Sequence, residues 1–378
     1  MKIAIQAADL DHDRIDGTRV YLLNVLRHLG KLSPDDEFFI YHRNNFNPEL
    51  TPPEFANYKI KPINFPFLWT QVRFAFELLK DKPAALWMPM HNIPAIKNKK
   101  LKTTVTVHDL AFKYFPDCFP KKDLFELNTL LKLAVNKSDK IIAVSNSTKR
   151  DILKFYPKIK EDKVKVIYHG FDTKLFQKEI PQEKVSKVLA SYKLPVSPAS
   201  GQATSYILYV GAIQPRKNLE TLVEAFDLYK KNNPDIKLVL AGGKAWQWEG
   251  TMEKIENSPY KNDIIVTGTI GFDDMVVLYR NAALFVFPSL YEGFGIPILE
   301  AFVSEVPVIC ANNSSLPEVG GDAVKYFDSS NHQDLYKKIK EVLENDELKN
   351  ILITKGKEQL QKFSWEKCAK ETLDWIKS

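Results

Sequence analysis

The sequence has few cysteines, no long apolar run and no familiar nucleic-acid-binding signature. Its three cysteines, Cys118, Cys310 and Cys368, lie far apart, which excludes a disulfide framework and favours a reducing compartment. No stretch of about 18 apolar residues is present, and acidic residues from Asp9 onward follow the N-terminal apolar run too soon for a signal peptide. We therefore predict a soluble, cytoplasmic protein with no nucleic-acid partner, because no helix-turn-helix, zinc-finger or RNA-recognition signature accompanies its charge.

The length and composition indicate two globular domains. A chain of 378 residues is too long for one ordinary domain and suits two of roughly 150 to 200 residues each. Apolar residues make up 44% and charged residues 26%, which excludes disordered and fibrous classes. Both domains can therefore bury substantial cores.

Short apolar runs rich in β-branched residues recur along the chain, each followed by a helix-like stretch. In the first half they cover residues 2–8, 37–42, 85–90, 103–109, 140–145 and 164–169, and in the second half 205–210, 237–241, 264–268, 284–288, 307–311 and 323–327. Such runs suit parallel strands covered by helices on both faces. We predict an α/β fold with two facing, doubly wound, Rossmann-like domains and a cleft between them. The predicted divisions are a first domain at 1–176, a linker at 177–204, a second domain at 205–355 and a C-terminal helical segment at 356–378 that packs back towards the first domain.

Sheets of this kind bind ligands at the carboxyl ends of their strands, so the residues after each run are candidates for a site. The most informative segment is 288–301, where an apolar run leads into two glycines and then Pro297, which suits the first position of a helix. The backbone N–H groups around Phe294, Gly295 and Ile296 are predicted to face an anion. Glu300, one turn into the helix, could accept hydrogen bonds from a ribose, and Glu292 would face the cleft. An ordinary turn with two solvent-exposed carboxylates is the alternative.

A second candidate is Arg216 with Lys217, again directly after an apolar run. Arginine as a fork and lysine as a point charge suit a diphosphate. An Arg-Lys pair at a helix start is usually just solvent-exposed and has no binding role. The position of this pair at the end of a strand favours diphosphate binding instead.

Three positions in the first half have comparable settings. Gly17 follows the first run and could let the backbone approach a phosphate or sugar closely. His108, followed by Asp109, ends another run, where a histidine could hydrogen-bond a sugar. His91 also follows an apolar run and is a further candidate for a contact with a sugar. The alternative is structural: Gly17 would form an ordinary turn, and each histidine would be hydrogen-bonded by nearby backbone groups.

These motifs resemble those of the retaining, nucleotide-sugar-dependent glycosyltransferases of family 4, also called glycosyl transferases group 1, which have the GT-B arrangement. The segment from Glu292 to Glu300 resembles the family's Glu-x7-Glu element, and residues 215–219 match its Pro-Arg-Lys-Asn-Leu element. Residues 107–111 resemble the family's central histidine motif, and segments 144–147 and 166–172 are also similar. Two departures stand out: Gly17 is a single glycine where the family often has two, and Ala212 stands where some members carry a phosphate-binding arginine.

The resemblance implies a function and a set of roles. The second domain would bind a GDP- or UDP-linked sugar, with Arg216 and Lys217 on the diphosphate, the 294–296 loop and Gly17 near it, and Glu300 on the ribose. His108 and Glu292 would be catalytic, with His91 and Asp109 on the acceptor side. The implied enzyme is a retaining hexosyltransferase, for mannosyl or glucosyl groups, acting on a glycan or lipid-linked acceptor in cell-surface polysaccharide or glycolipid synthesis. No Asp-x-Asp pair follows any strand-like run of the second half, so we expect neither a metal nor another cofactor.

Other classes remain open at this stage. A nicotinamide dehydrogenase would need Gly-x-Gly-x-x-Gly after the first strand, which is missing. A GT-B epimerase or phosphorylase would share the fold, and a non-catalytic nucleotide-sugar-binding protein would share the pocket.

The charge distribution suggests an anionic partner for the first half. Residues 1–176 contain 29 Lys or Arg against 20 Asp or Glu, while residues 177–378 contain 24 against 27. With the aromatic segment 65–76, this excess suggests a peripheral site on the inner face of a membrane. A solvated lysine-rich surface and burial of the aromatics are the alternatives.

Overall fold

The chain forms two compact units in the computed structural model, which describes residues 1–13, 15–194 and 205–378. One unit comprises Met1–Gly170 with Phe363–Ser378, and the other comprises Phe171–Lys362. The sequence prediction placed these divisions at 176 and 355 instead.

The first unit is a parallel sheet of seven strands, in the order β3-β2-β1-β4-β5-β6-β7. The strands are β1 (Lys2–Gln6), β2 (Glu37–His42), β3 (Tyr58–Pro62), β4 (Ala85–Met88), β5 (Lys102–Val107), β6 (Lys140–Ala143) and β7 (Val164–Val166). The helices are α1 (Gly17–Leu32), α2 (Ala75–Asp81), α3 (Ala111–Tyr114), α4 (Lys121–Lys137) and α5 (Asn146–Phe155). Because β1 pairs with both β2 and β4, the strand order reverses beside it, as in a doubly wound sheet.

The second unit has the same design with six parallel strands, in the order β10-β9-β8-β11-β12-β13. The strands are β8 (Tyr206–Val210), β9 (Lys237–Ala241), β10 (Ile264–Gly268), β11 (Leu284–Phe287), β12 (Val308–Ala311) and β13 (Val324–Phe327). The helices are α6 (Thr173–Gln177), α7 (Gln182–Ser191), α8 (Leu219–Lys230), α9 (Glu249–Glu256), α10 (Phe272–Arg280), α11 (Ile296–Val303), α12 (Leu316–Gly320), α13 (His332–Leu343) and α14 (Asp346–Leu360). The predicted α/β class with two doubly wound units is therefore confirmed.

The segment predicted as a linker contains a helix. α7 lies within it, and with α6 it packs on α10, where Arg280 donates a hydrogen bond of 2.9 Å to the Lys178 carbonyl. These contacts assign residues 171–194 to the second unit, which is why its first residue precedes the predicted one. Residues 195–204 of the predicted linker lie outside the described residues.

The last helix, α15 (Trp365–Lys377), belongs to the first unit. It packs on α1 and buries Trp365, Cys368, Ala369 and Leu373. A Cβ atom at Gly170 would stand 2.1 Å from the Trp365 backbone nitrogen, so only glycine fits where these segments meet. The predicted C-terminal segment began at 356, but residues up to Lys362 belong to the second unit.

One strand was absent from the sequence prediction. β3 lies at the edge of the first sheet, and its Lys59 and Lys61 interrupt the apolar pattern. An edge strand with solvent on one side needs no continuous apolar run, so its signal is weak. Within the described residues, no helix combines the length and the apolar character needed to cross a membrane.

Candidate active site

The loop after β8 carries the two cations predicted to bind a diphosphate. It contains a 3-10 turn, Pro215–Lys217, that ends at Asn218 with a φ of 57°. Asparagine tolerates this left-handed conformation better than most residues. Its side-chain amide donates to the carbonyls of Pro288, at 3.1 Å, and Ser329, at 2.8 Å. Asn218 therefore joins three loops at the carboxyl edge of the sheet, a role that the motif alone did not reveal.

The loop after β11 has the predicted order of strand, glycine turn and helix N-terminus. Gly295 adopts a φ of 119°, which a side chain would strain, and α11 begins at the next residue. Pro297 is thus the second residue of the helix and not the first. The Ser315 hydroxyl donates to the carbonyls of Glu292, at 2.9 Å, and Phe294, at 2.6 Å. These contacts fix the turn from a neighbouring loop after β12.

Arg216, Lys217 and Glu292 form one ion-paired cluster. Arg216 Nη1 donates to Glu292 Oε2 at 3.2 Å and also to the Tyr291 carbonyl, and Lys217 Nζ pairs with Glu292 Oε1. All three side chains are largely buried, with that of Glu292 only 12% exposed. Burial alone would raise the pKa of Glu292, but Lys217 and Arg216 outweigh it and hold the pKa at about 2. Together these three side chains carry one net positive charge.

The structure therefore adds a contact that sequence spacing did not indicate. The sequence resemblance predicted that Glu292 contacts the transferred sugar and that Arg216 and Lys217 contact the diphosphate. In the structure the same carboxylate contacts both cations. A bound diphosphate would have to share Arg216 and Lys217 with it.

Glu300 has the opposite environment, although it lies on the same motif. The Tyr279 hydroxyl, on α10, donates to Glu300 Oε2 at 2.9 Å. Burial raises the pKa of Glu300 to about 7, with Asp172 adding to the rise and the Tyr279 hydrogen bond opposing it. A carboxyl group in this state can accept hydrogen bonds from a diol once it ionises. Tyr279 lies far from the motif in sequence, and no sequence signal identified it.

In the first unit, His108 follows β5. Its Nε2 is 2.9 Å from the Pro89 carbonyl, which can only accept, so Nε2 carries the proton and Nδ1 is an acceptor. Burial lowers the pKa of His108, while the Pro89 carbonyl and Asp109 partly oppose this. The ring packs edge-on against Tyr21, with centroids 5.0 Å apart. His108 is therefore a neutral side chain with one fixed tautomer.

The remaining predicted residues of the first unit lie on separate turns. Asp109 accepts a hydrogen bond of 2.9 Å from the N–H of Ala111, the first residue of α3. Burial lowers the pKa of His91 to about 4, and Asp109 opposes the change. Gly17 is the first residue of α1, capped by Asp16, whose carboxylate accepts from the Arg19 N–H. Among residues 1–13, 15–194 and 205–378, no three His, Cys, Asp or Glu side chains group so as to hold a metal ion.

Both halves of the chain match known sequence families. The family described as Glycosyltransferase Family 4 matches residues 15–175, and that described as Glycosyl transferases group 1 matches residues 193–359. Together these matches cover most of both units.

Curated relatives and solved structures agree with the family matches. O-antigen chain mannosyltransferase B of Escherichia coli is 30% identical over 279 residues, which make up 73% of this chain and 70% of that protein. The serotype-specific mannosyltransferase WbdA of Escherichia coli is 30% identical over 282 residues, 72% of this chain but only 33% of that longer protein. The crystal structure of Anabaena Alr3699/HepE in complex with UDP and glucose has a TM-score of 0.74 at 17% identity, with 100% of each chain covered.

The fold and the family matches together define a glycosyltransferase of the GT-B class. The chain belongs to glycosyltransferase family 4, as the sequence resemblance indicated.

Proposed function

We propose that this enzyme transfers a hexosyl group from a nucleoside-diphosphate sugar to a hydroxyl group of a glycan or lipid-linked acceptor in cell-surface polysaccharide or glycolipid synthesis. The observation that carries the proposal is the buried cluster of Arg216, Lys217 and Glu292 at the start of the motif that ends at Glu300. Mannosyl transfer is favoured over glucosyl transfer because the Escherichia coli relatives are named mannosyltransferases. The UDP and glucose bound by the Anabaena protein support a nucleotide-sugar donor.

The chemistry of the cluster suits departure of a nucleoside diphosphate. As the bond to the diphosphate breaks, negative charge grows on the phosphate oxygens and the sugar gains oxocarbenium character. Arg216 and Lys217 would stabilise the leaving group electrostatically, so the reaction would need no divalent ion. Glu300 would accept hydrogen bonds from the ribose, and Glu292 would contact the transferred sugar.

The proposed reaction retains the configuration of the anomeric carbon. The acceptor hydroxyl would attack the face that the diphosphate leaves, and a diphosphate oxygen would take its proton. His108 would contact the sugar through Nδ1, which is an acceptor because Nε2 donates to Pro89. His91 and Asp109 are assigned to the acceptor side, and Gly17 and residues 294–296 to the diphosphate.

A panel of nucleotide sugars tests the proposal. GDP-mannose and UDP-glucose are compared by thermal shift, where a donor at about 100 times its Kd should add roughly 2.7 kcal/mol of stability. The donor that binds is then incubated with and without acceptor glycans, and NMR reports the anomeric configuration of the product. Transfer to a glycan supports the proposal. Phosphate-dependent cleavage would identify a phosphorylase, interconversion of the donor an epimerase, and binding without turnover a non-catalytic protein.

A further inference from the structure

A helical segment of the first unit exposes an apolar face. It begins as a π-helical turn, Thr70–Phe74, and continues into α2. Val72, Phe76 and Leu79 are between 45% and 58% exposed and are spaced four and three residues apart. Side chains at this spacing lie on one side of a helix. Leu68, which precedes the helical segment and has a φ of 46°, is 54% exposed.

The aromatic residues of this region divide into two groups. Trp69 and Phe74 are buried and stacked, with ring centroids 5.1 Å apart. Phe67 is 70% exposed, and Phe76 is also exposed. The core therefore accounts for only some of the aromatics that the sequence showed, and Phe67 and Phe76 lie largely outside it.

A neighbouring loop extends the apolar face. The Gln71 side chain donates to the Ile93 carbonyl at 2.9 Å and accepts from the Ala95 N–H at 2.8 Å. The next residue, Ile96, is 73% exposed. We call the six side chains the apolar strip: Phe67, Leu68, Val72, Phe76, Leu79 and Ile96.

Positive charge surrounds the apolar strip. Residues 58–102 contain nine Lys or Arg and two acidic residues, Glu77 and Asp81. Glu77 is buried and paired with Arg73 at 2.7 Å, and Asp81 is paired with Lys61 at 3.0 Å. Exposed lysines at positions 80, 82, 99 and 100 flank the strip. Within residues 58–102 the exposed charge is therefore positive.

We propose that the apolar strip docks the first unit onto an anionic lipid bilayer. A helix with apolar residues on its outer face and lysines beside them lies in the plane of the headgroups, where the apolar groups enter the acyl boundary. The lysines would contact anionic headgroups, each contributing roughly threefold to sixfold in affinity near the surface. The inference extends the proposed function, since a lipid-linked acceptor lies at a bilayer, but its test needs no sugar transfer.

Sedimentation of the full chain with vesicles tests the inference. Vesicles of phosphatidylglycerol with phosphatidylcholine are compared with vesicles of phosphatidylcholine alone, at low and at physiological salt. We expect binding to the anionic vesicles only, weakening as salt shortens the screening length to about 8 Å. Phe76→Ser should reduce partitioning about tenfold, and Lys99→Gln with Lys100→Gln should reduce it about 30-fold.

Matched controls come from the second unit. Ile351→Ser replaces a similarly exposed apolar side chain on α14, and Lys231→Gln with Lys355→Gln removes the same charge elsewhere. Both controls should bind like the unmodified chain. Equal binding to neutral vesicles, no vesicle binding, or equal losses in the controls overturns the inference. Analytical ultracentrifugation without vesicles tests whether a second copy of the chain covers the apolar strip. Self-association that Phe76→Ser abolishes would make the strip a subunit contact, and this result would also overturn the inference.

Because the vesicles contain no nucleotide sugar, failure to bind them leaves the proposed transfer reaction standing. Binding without transfer activity would leave the docking surface standing.

Discussion

Replacement of Glu292 by glutamine should weaken the protein and strengthen diphosphate binding at the same time. The change keeps the shape of the side chain but removes a carboxylate that contacts both Arg216 and Lys217. The folded state then buries two cations without that negative charge, which is costly. A nucleoside diphosphate, in contrast, would no longer share those cations with a carboxylate.

The size of both effects follows from the structure. Holding the pKa of Glu292 at about 2, against an ordinary 4.5, corresponds to about 3 kcal/mol of stabilisation at neutral pH. Because this pKa is lowered on folding, the stabilisation is present above pH 4.5 and is lost as pH falls towards 2. Loss of the carboxylate should lower the free energy of unfolding by that order. Removal of one like charge from the diphosphate site should tighten nucleoside diphosphate binding about tenfold, or about 1.4 kcal/mol.

Two measurements check this prediction. Urea unfolding, fitted for two units, reports stability, and isothermal titration with GDP and with UDP reports affinity. Glu358→Gln is the matched control, because it removes an exposed carboxylate from α14 of the same unit. Turnover should also fall, since Glu292 is assigned to the transferred sugar. A variant that unfolds like the control, or that binds the diphosphate more weakly than the unmodified chain, would refute the reasoning about the cluster.

Three further predictions concern the same unit. Lys217→Ala should weaken diphosphate binding far more than nucleoside binding, as measured by titration, and equal weakening would remove the phosphate assignment. Glu300 has a pKa raised to about 7, so it disfavours the folded state as pH rises from 4.5 towards 7, and nucleoside affinity should increase with pH through this range because a ribose binds the ionised carboxylate. Glu300→Gln should raise KM for the donor and flatten that pH profile, and an unchanged profile would exclude the ribose contact. Transfer should continue in excess chelator, since Arg216 and Lys217 can carry the leaving-group charge, and loss of activity restored by Mg²⁺ or Mn²⁺ would contradict this.

Sequence patterns predicted the strands of the fold well because most of them are buried on both faces. Continuous apolar runs identify such strands directly, and β2 and β9 have the predicted bounds. The edge strand β3 was missed because Lys59 and Lys61 interrupt its apolar pattern. The unit boundaries were displaced because they depend on tertiary contacts, such as that of Arg280 with the 178 carbonyl, which have no local sequence signature.

The candidate site was predictable in its residue types but not in its partners. Strand ends and glycine turns indicated which loops carry Arg216, Lys217 and Glu292, and which helix start carries Glu300. The residues that hold those loops together come from distant segments, as Asn218 and Ser315 show. A hydrogen bond between segments separated in sequence has no periodic pattern, so only the folded chain reveals it.

The two glutamates of one motif illustrate how environment, and not residue type, assigns a role. Glu292 lies between two cations and stays ionised through the whole physiological range. Glu300 is equally a carboxyl group, but it accepts a hydrogen bond from the neutral Tyr279 hydroxyl, so burial dominates and raises its pKa to about 7. The first carboxylate therefore contributes charge before any ligand arrives, whereas the second gains its full hydrogen-bonding capacity when a diol favours its ionised form. Donor binding should consequently release a proton from Glu300 near pH 7 and none from Glu292, which calorimetry in buffers of different ionisation enthalpy can detect.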